Sequence, residues 1–253
     1  ETFDINVVGS LNILECVRKI NKIKSTIIIT TDKVYDNYKN KIFQETDRLG
    51  GQDPYSNSKS CVELMSYSYK HSFYNNSIHK LYTVRAGNVI GGGDWSKDRL
   101  IPDIIKSCHS NSSIELRNPS ATRPWQFVLE PISGYLSLIQ KNWDKNTNDF
   151  NYNFGPDFEQ CLSVKDVTKI VLKYFNKKLD DFVKYEDKTN LHESKLLFLD
   201  CTKSKYDIKW NPVFTTEESL IKTSEWYKCF YEKRDVIKLS LNQIMSYEKK
   251  AGI

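Results

Sequence analysis

The sequence of 253 residues predicts an α/β protein with a parallel β-sheet, followed by a smaller α+β region. Along the first 90 residues, segments with helical periodicity alternate with strands of nearly continuous apolar character. This alternation is typical of parallel sheets whose faces are covered by helices. After the glycine run at 91–93, short helices and short strands follow one another in mixed order. We therefore expect a change of architecture near residue 90.

The elements of the first region follow from the spacing of apolar residues. Apolar side chains recur at helical spacing over residues 7–20, directly before an apolar strand over 26–30. A second helical stretch covers 54–69, and residues 81–85 form the next strand. Two successive helix and strand pairs of this kind indicate one parallel sheet.

The second region is predicted to be richer in short elements. Its helices are expected over 99–109, 131–141, 163–175 and 216–231, and its strands near 114–117, 151–154 and 196–200. The tail over 235–253 has only weak helical periodicity, so no role is assigned to it.

Composition and charge exclude several classes of protein. Hydrophobic residues make up 39% of the chain and charged residues 27%, which is enough for a packed core and excludes a disordered or fibrous chain. The purely apolar runs, such as 27–29, are far below the roughly 18 residues that a membrane span needs. The net charge is +5, but the basic residues are scattered rather than clustered. We expect a soluble protein with no nucleic-acid or membrane partner.

The cysteines and histidines form no recognisable metal or disulfide pattern. The six cysteines lie tens of residues apart without a CxxC pair, which speaks against a zinc ribbon or a dense disulfide framework. The four histidines form no HExxH motif. Reduced thiols in a cytoplasmic protein without a metal site are therefore expected.

A polar segment after the first strand is one candidate site. The sequence TTDKVY, at 30–35, follows the apolar strand immediately. In open α/β sheets, reactive groups gather at the carboxyl ends of the strands. An ordinary polar turn is the alternative interpretation.

A second candidate is the pair formed by Tyr55 and Lys59 in a YxxxK pattern. On a helix, residues four apart share a face, so the ammonium can lie beside the phenol. A neighbouring cation favours the phenolate form of a tyrosine, which makes such a pair a possible general base. The pattern is common by chance, but here it accompanies the 30–35 segment at an opening of the same predicted sheet.

Several longer stretches extend these two candidates to a family resemblance. They are LGGQDPYS (49–56), RAGNVIG (85–91), GGGDW (91–95), DRLIPD (98–103), RNP (117–119), ATRPWQ (121–126) and LEP (129–131). Together with the two candidate sites, they resemble the extended short-chain dehydrogenase/reductases that act on nucleotide sugars, and within them the 4,6-dehydratase branch that acts on CDP-glucose. The resemblance extends from residue 1 to about residue 227.

The resemblance implies a Rossmann-like sheet, NAD as cofactor and CDP-glucose as the small-molecule partner. Residues 1–90 would be the C-terminal part of the NAD-binding Rossmann domain. Residues 91–253 would be mainly the nucleotide-sugar domain, with some segments returning to the Rossmann domain. The family's Gly-rich turn, GxxGxxG, does not occur in this sequence, and glycine is only about 4% of the chain against a usual 7%. We therefore expect the sequence to be N-terminally incomplete by Rossmann units on the order of 100 residues.

Five residues would carry the chemistry by their positions in the family's motifs. Tyr55 would remove the proton from the C4 hydroxyl of the sugar, and Lys59 would assist it and bind the nicotinamide ribose. Thr31 would bind near the C4 oxygen, and Asp32 would protonate the departing C6 hydroxyl. Lys33 would be either the base at C5 or a group that only stabilises the enolate.

The resemblance also implies substrate-binding residues and an oligomer. Asn88 would contact the substrate, while Arg99 and Arg123 would bind the diphosphate, because guanidinium groups pair well with phosphate oxygens. A surface salt bridge is the alternative for each arginine. A homodimer or higher homo-oligomer would form through the helices at about 5–20 and 55–75.

Two other interpretations of the function remain open. An epimerase of the same family is disfavoured by Asp32 and Lys33, because epimerisation needs no acid at C6. The chain as it stands could also be an inactive fragment that binds a nucleotide sugar.

Overall fold

The computed structural model describes residues 1–20, 22–36, 41–74, 79–143, 149–185 and 197–253. It divides into two compact units, each assembled from three separate stretches of the chain. The first unit comprises Glu1–Gly87, Pro131–Gly155 and Leu197–Asn211. The second comprises the remaining stretches, which begin at Asn88, Pro156 and Pro212.

The first unit contains a parallel three-stranded sheet and the helices that pack on it. Its elements are α1 (Gly9–Lys19), β1 (Ser25–Ile29), β2 (Ile42–Phe43), α2 (Pro54–Tyr69), β3 (Lys80–Ala86), most of α4 (Leu129–Lys141), β8 (Asn151–Phe154), β11 (Phe198–Leu199) and α7 (Thr202–Asp207). The strand order is β1-β3-β8, with both pairings parallel. This confirms the parallel α/β sheet expected from the alternation of helices and apolar strands.

The central position of β3 explains its composition. Six of its seven residues are buried, because it has a neighbouring strand on each side and helices over its faces. Strand β8 pairs with β3 although more than 60 residues of sequence separate the two, and this long-range pairing brings the 131–155 segment into the first unit. Two hydrophobic clusters pack against the sheet, one around Leu14 and Val62 and the other around Phe154 and Trp210.

The second unit combines helices with two-stranded pairings. Its elements are β4 (Val89–Ile90), α3 (Leu100–Ser110), β5 (Ile114–Leu116), β6 (Thr122–Arg123), β7 (Gln126–Phe127), β9 (Leu162–Ser163), α5 (Val164–Tyr174), α6 (Leu179–Phe182), β10 (Val183–Tyr185), α8 (Thr216–Tyr231) and α9 (Val236–Ala251). Strands β4 and β7 pair in parallel, β5 and β10 pair in parallel, and β6 and β9 pair antiparallel. One hydrophobic cluster unites α3, α5 and α8.

The tail forms a regular 16-residue helix, α9, where the sequence showed only weak periodicity. The side chain of Asp235 caps its first turn by accepting a hydrogen bond from the Lys238 amide. The buried Tyr247 donates a hydrogen bond of 2.9 Å to Glu130, whose carboxylate also accepts from the amides of Val213 and Phe214. Contacts distant in sequence therefore hold this helix in place. No helix in the described part of the chain has the length and apolar character that a membrane span requires.

Candidate active site

The segment after β1 forms a tight 3₁₀ turn over Asp32–Val34. The Thr31 hydroxyl donates to the Asp32 carboxylate at 3.0 Å and accepts a longer hydrogen bond from the Lys33 amide at 3.4 Å. Thr31 and Asp32 are buried, whereas Lys33 is exposed. The turn therefore presents an ammonium to the surface and holds a hydroxyl and a carboxyl just beneath it.

Helix α2 begins with a well-formed cap immediately before Tyr55. Asp53 accepts hydrogen bonds from the amides of Tyr55 and Ser56, both at 3.0 Å, and from the Ser56 hydroxyl at 2.5 Å. Gly51 has a φ of +110°, and a Cβ there would lie 2.5 Å from the Asn57 amide nitrogen. Only glycine fits this close approach of the loop to the helix. The cap and the loop together fix where the first turn of α2 starts.

The exposed phenol of Tyr55 and the half-buried ammonium of Lys59 lie one turn apart on this helix. Lys59 Nζ donates to the carbonyl of Ile29 at 3.2 Å, and Ser60 Oγ donates to the carbonyl of Val34 at 2.9 Å. These two carbonyls flank the segment that carries Thr31, Asp32 and Lys33. Helix α2 is therefore tied to both ends of that segment, and the structure brings the five predicted catalytic residues together at the carboxyl end of β1.

Electrostatic interactions connect the two parts of this site. Burial lowers the pKa of the Lys59 ammonium, because a charged amine loses water there. Burial also raises the pKa of the Asp53 carboxyl, but the hydrogen bonds from Ser56 and Tyr55 and the positive charge of Lys33 outweigh that effect and hold it below its usual value. Lys33 therefore acts electrostatically on the cap of the helix that carries Tyr55.

Of the predicted substrate-binding residues, Thr31 lies in the first unit, whereas Asn88, Arg99 and Arg123 lie in the second. Asn88 is half-buried, and its carbonyl accepts a hydrogen bond from the Gln126 amide at 2.9 Å. Arg99 is exposed at the start of α3. Arg123 is 7% exposed on β6, where Nη1 donates to the carbonyl of Thr122 at 2.9 Å. Arg123 is therefore a buried guanidinium rather than the surface side chain of the alternative interpretation.

The GGGDW loop of the second unit packs closely against α8. A Cβ at Gly92 would lie 2.0 Å from Cδ2 of Trp226, so the ring occupies the space that a side chain would need. The Tyr227 hydroxyl donates to the carbonyl of Asp94 at 2.6 Å, and the Trp95 ring packs edge-on against Tyr227. The aromatic residues of α8 therefore determine the shape of this loop.

A buried ion pair that is not among the predicted site residues lies behind the site. Glu63 on α2 and Arg85 on β3 are each 1% exposed and lie 2.9 Å apart, and Glu63 also accepts a hydrogen bond from Thr30. Two signals could have revealed it: a glutamate four residues after Lys59 on the same helical face, and an arginine in an otherwise apolar strand. A charge in a buried strand requires a partner.

Among the described residues, no cluster of three or more His, Cys, Asp or Glu side chains could hold a metal ion. The six cysteines are not joined by disulfides, and Cys108, Cys201 and Cys229 are buried.

Comparison with known proteins relates the chain to enzymes of nucleotide-sugar metabolism. A family model described as GDP-mannose 4,6 dehydratase matches residues 1–223. The CDP-glucose 4,6-dehydratase of Salmonella typhimurium is 40% identical to the chain, over 98% of this chain and 70% of that enzyme. A trifunctional UDP-glucose 4,6-dehydratase, epimerase and reductase of Arabidopsis thaliana is 26% identical over 88% of this chain and 32% of that protein.

Solved structures share the fold. The dTDP-glucose 4,6-dehydratase of Bacillus anthracis, solved in complex with NAD, has a TM-score of 0.75 and 24% identity over 89% of this chain and 68% of that one. A dTDP-glucose 4,6-dehydratase of Streptomyces venezuelae has a TM-score of 0.78 and 18% identity over 92% of this chain and 68% of that one. The expected Rossmann-type α/β fold is thereby confirmed. On the family match and the identity to the Salmonella enzyme, the chain belongs to the GDP-mannose 4,6 dehydratase family, a group of NAD-dependent nucleotide-sugar epimerases and dehydratases.

Proposed function

We propose that this chain carries the catalytic residues of a CDP-glucose 4,6-dehydratase, which converts CDP-D-glucose to CDP-4-dehydro-6-deoxy-D-glucose and water. The observation that carries the proposal is the attachment of α2 to both ends of the segment with Thr31, Asp32 and Lys33, through Lys59 and Ser60. This attachment places a phenol and ammonium pair beside a hydroxyl, a buried carboxyl and a second ammonium. The 40% identity to the Salmonella enzyme supports CDP-glucose as the substrate.

The residues present fit the nicotinamide end of NAD. The Tyr55 phenol is 44% exposed, and Lys59 is held at the carboxyl end of β1 by its hydrogen bond to Ile29. An ammonium has three donors, so Lys59 keeps others for the hydroxyls of a ribose. When bound, NAD would accept a hydride from C4 of the sugar and return it at C6.

The first proton transfer falls to Tyr55. As a phenolate it would accept the proton of the C4 hydroxyl, and the ammonium of Lys59 would stabilise the negative charge of that phenolate. Thr31 would orient the C4 oxygen through its hydroxyl. That hydroxyl is fixed by its hydrogen bond to Asp32, so its position is set before the substrate arrives.

Asp32 and Lys33 would carry out the elimination of water. Asp32 is 3% exposed and would donate the proton that the departing C6 hydroxyl needs, a role that requires a carboxylic acid. A ketone at C4 acidifies the C5 proton. Lys33 would either remove this proton or stabilise the enolate that forms when the proton leaves. An epimerase needs no acid at C6, so the buried Asp32 in this site favours dehydration.

We assign further nucleotide-sugar contacts, besides that of Thr31, to three residues. Asn88 would contact the sugar, and Arg99 and Arg123 would contact the diphosphate. The guanidinium groups suit this role because they form paired hydrogen bonds with phosphate oxygens.

We also propose that the protein is a cytoplasmic homodimer that associates through α1 and α2. Both helices leave apolar side chains exposed, among them Ile13 at 55% and Leu64 at 60%. Exposed apolar residues on adjacent helices are typical of a surface that a second subunit covers. Tyr67 on α2 is also exposed, as are Ile5 just before α1 and Phe73 just after α2.

Incubation of the full-length protein with CDP-glucose and NAD tests the proposed function. We expect a product lighter than the substrate by one water, with a carbonyl at C4, detected by mass spectrometry and NMR. The dTDP-, UDP- and GDP-linked sugars serve as controls for the base. Turnover of one of these in preference to CDP-glucose would refute the assigned substrate, and the absence of any keto product would refute the assigned reaction.

A further inference from the structure

We infer that the buried pair of Glu63 and Arg85, together with Thr30, positions the catalytic residues by fixing α2 against the segment after β1. The inference rests on the proposed function and assigns positioning roles to residues that do not face the substrate. It starts from the spacing along α2: Tyr55, Lys59 and Glu63 are each four residues apart and so lie on one side of the helix.

The Glu63 carboxylate has four donors around it. Oε1 accepts from the Thr30 hydroxyl at 2.5 Å and from Arg85 Nε at 2.9 Å. Oε2 accepts from the Thr83 hydroxyl at 2.7 Å and from Arg85 Nη2 at 3.0 Å. One side chain of α2 is therefore bonded to the end of β1 and to two residues of β3. Bidentate pairs of this kind restrict orientation as well as distance.

Arg85 is also connected to β8 by hydrogen bonds that pass through Tyr35. Its Nη1 donates to the Tyr35 hydroxyl at 2.7 Å, and the Tyr35 hydroxyl donates to Asn153 Oδ1 at 2.7 Å. Asn153 Nδ2 in turn donates to the carbonyls of Phe43 and Asp200, both at 3.1 Å. The network joins α2, β3 and β8 to the turn after β1. A displacement of Glu63 would therefore strain hydrogen bonds on every one of these elements.

Thr30 is the part of the network nearest to the chemistry. Its amide donates to the carbonyl of Val84 at 2.8 Å, and its hydroxyl reaches both Glu63 and the Val84 carbonyl. Thr31 is the next residue, so the hydroxyl predicted to bind the C4 oxygen is one peptide away from the Glu63 contact. Glu63 is one helical turn from Lys59. The same carboxylate thus fixes the spacing between the two halves of the site.

A positioning role predicts a particular kinetic signature. None of these groups is placed against the substrate, so its binding should change little when one of them is altered. The chemical step, however, depends on alignment, and a displacement of about 1 Å far from the reacting atoms can cost on the order of 100-fold in rate. The expected effect is on kcat rather than on KM.

The test uses Thr30→Val, which removes the hydroxyl but keeps the shape and leaves the ion pair intact. Thr30→Ser retains the hydroxyl and serves as the rescue variant. Glu63→Gln removes the charge of the carboxylate at similar size. Glu130→Gln is the matched control, because Glu130 is also 1% exposed and accepts hydrogen bonds from Val213, Phe214 and Tyr247 in the other unit.

With the full-length protein, we expect Thr30→Val and Glu63→Gln to lower kcat for CDP-glucose by about 10- to 100-fold. The KM of these two variants should stay within about threefold of wild type. Thr30→Ser should recover most of the rate. Glu130→Gln should keep kcat within about twofold of wild type while lowering the melting temperature. Equal kcat for Thr30→Val and Thr30→Ser, or an equal loss of kcat in Glu130→Gln, would overturn the inference.

Amide hydrogen exchange provides a measurement that does not depend on turnover. Exchange over residues 54–62 should be faster in Thr30→Val than in Thr30→Ser, with no change along α8. If the wild type itself forms no keto product, the proposed function fails, and the exchange result alone decides the positioning role. Unchanged exchange in both variants would reject that role.

Discussion

The cap of α2 provides a direct test of how the sequence builds the site. Replacement of Asp53 by Ala removes the acceptor for the amides of Tyr55 and Ser56 and for the Ser56 hydroxyl. Loss of an N-cap costs about 1 kcal/mol, and loss of a negative charge at a helix N-terminus adds about 0.3 to 1 kcal/mol. We therefore expect the free energy of unfolding to fall by about 1 to 2 kcal/mol.

Asp53→Asn is the matched control for this change. Its side-chain oxygen still accepts from the two amides, so it should retain most of the stability and lose only the contribution of the charge. A loss of 1 kcal/mol corresponds to about 2 to 4 °C in melting temperature for a chain of this size, which circular dichroism resolves. The first turn also holds Tyr55, so Asp53→Ala should lower kcat more than Asp53→Asn.

The pH dependence follows from the lowered pKa of Asp53. A carboxyl with a lower pKa in the folded state stabilises the protein above its unfolded pKa, near 3.9, and loses that contribution as the pH falls through the folded value. The advantage of wild type over Asp53→Asn should therefore be present near neutral pH and disappear in acid. Equal melting temperatures for wild type and Asp53→Ala, or for Asp53→Ala and Asp53→Asn, would refute the capping argument.

Three further predictions concern catalysis and assembly. Tyr55→Phe should lower kcat by about 100-fold or more, while the free energy of unfolding changes by less than about 0.5 kcal/mol because the side chain is 44% exposed; a clearly larger loss of stability would contradict this. The Lys33→Ala variant should still oxidise the sugar at C4 but not eliminate water, so reduced cofactor should accumulate in the presence of CDP-glucose. If reduced cofactor does not accumulate, the role of Lys33 in the elimination is rejected. Leu64→Lys should shift the protein from dimer to monomer in light scattering, and an unchanged mass would argue against association through α2.

The sequence predicts some parts of this structure well because the signals are local. The start of α2 follows from a capping Asp53 and Pro54 in the first turn, and the parallel strands follow from their apolar runs. The two segments that carry the predicted catalytic residues both begin at one edge of the sheet. This alone predicts that Thr31, Asp32 and Lys33 lie near Tyr55 and Lys59.

Other parts depend on contacts that no local pattern contains. The four donors around Glu63 belong to Thr30, directly after β1, and to two residues of β3, so the carboxylate looks like an ordinary helical residue until β1 and β3 are placed. Helix α9 has weak periodicity of its own, and its position depends on Tyr247 reaching Glu130, 117 residues away. The assignment of Asn153 to the first unit likewise requires the long-range pairing of β3 with β8.

The contact between Gly92 and Trp226 has a consequence for comparisons among relatives. A methyl group at residue 92 and an indole at residue 226 would compete for the same space, since only 2.0 Å separates the two positions. A relative that carries a larger residue at the first position should therefore have a small one at the second. The glycine of the loop and the tryptophan of the helix, though 134 residues apart, are expected to vary as a pair across evolution.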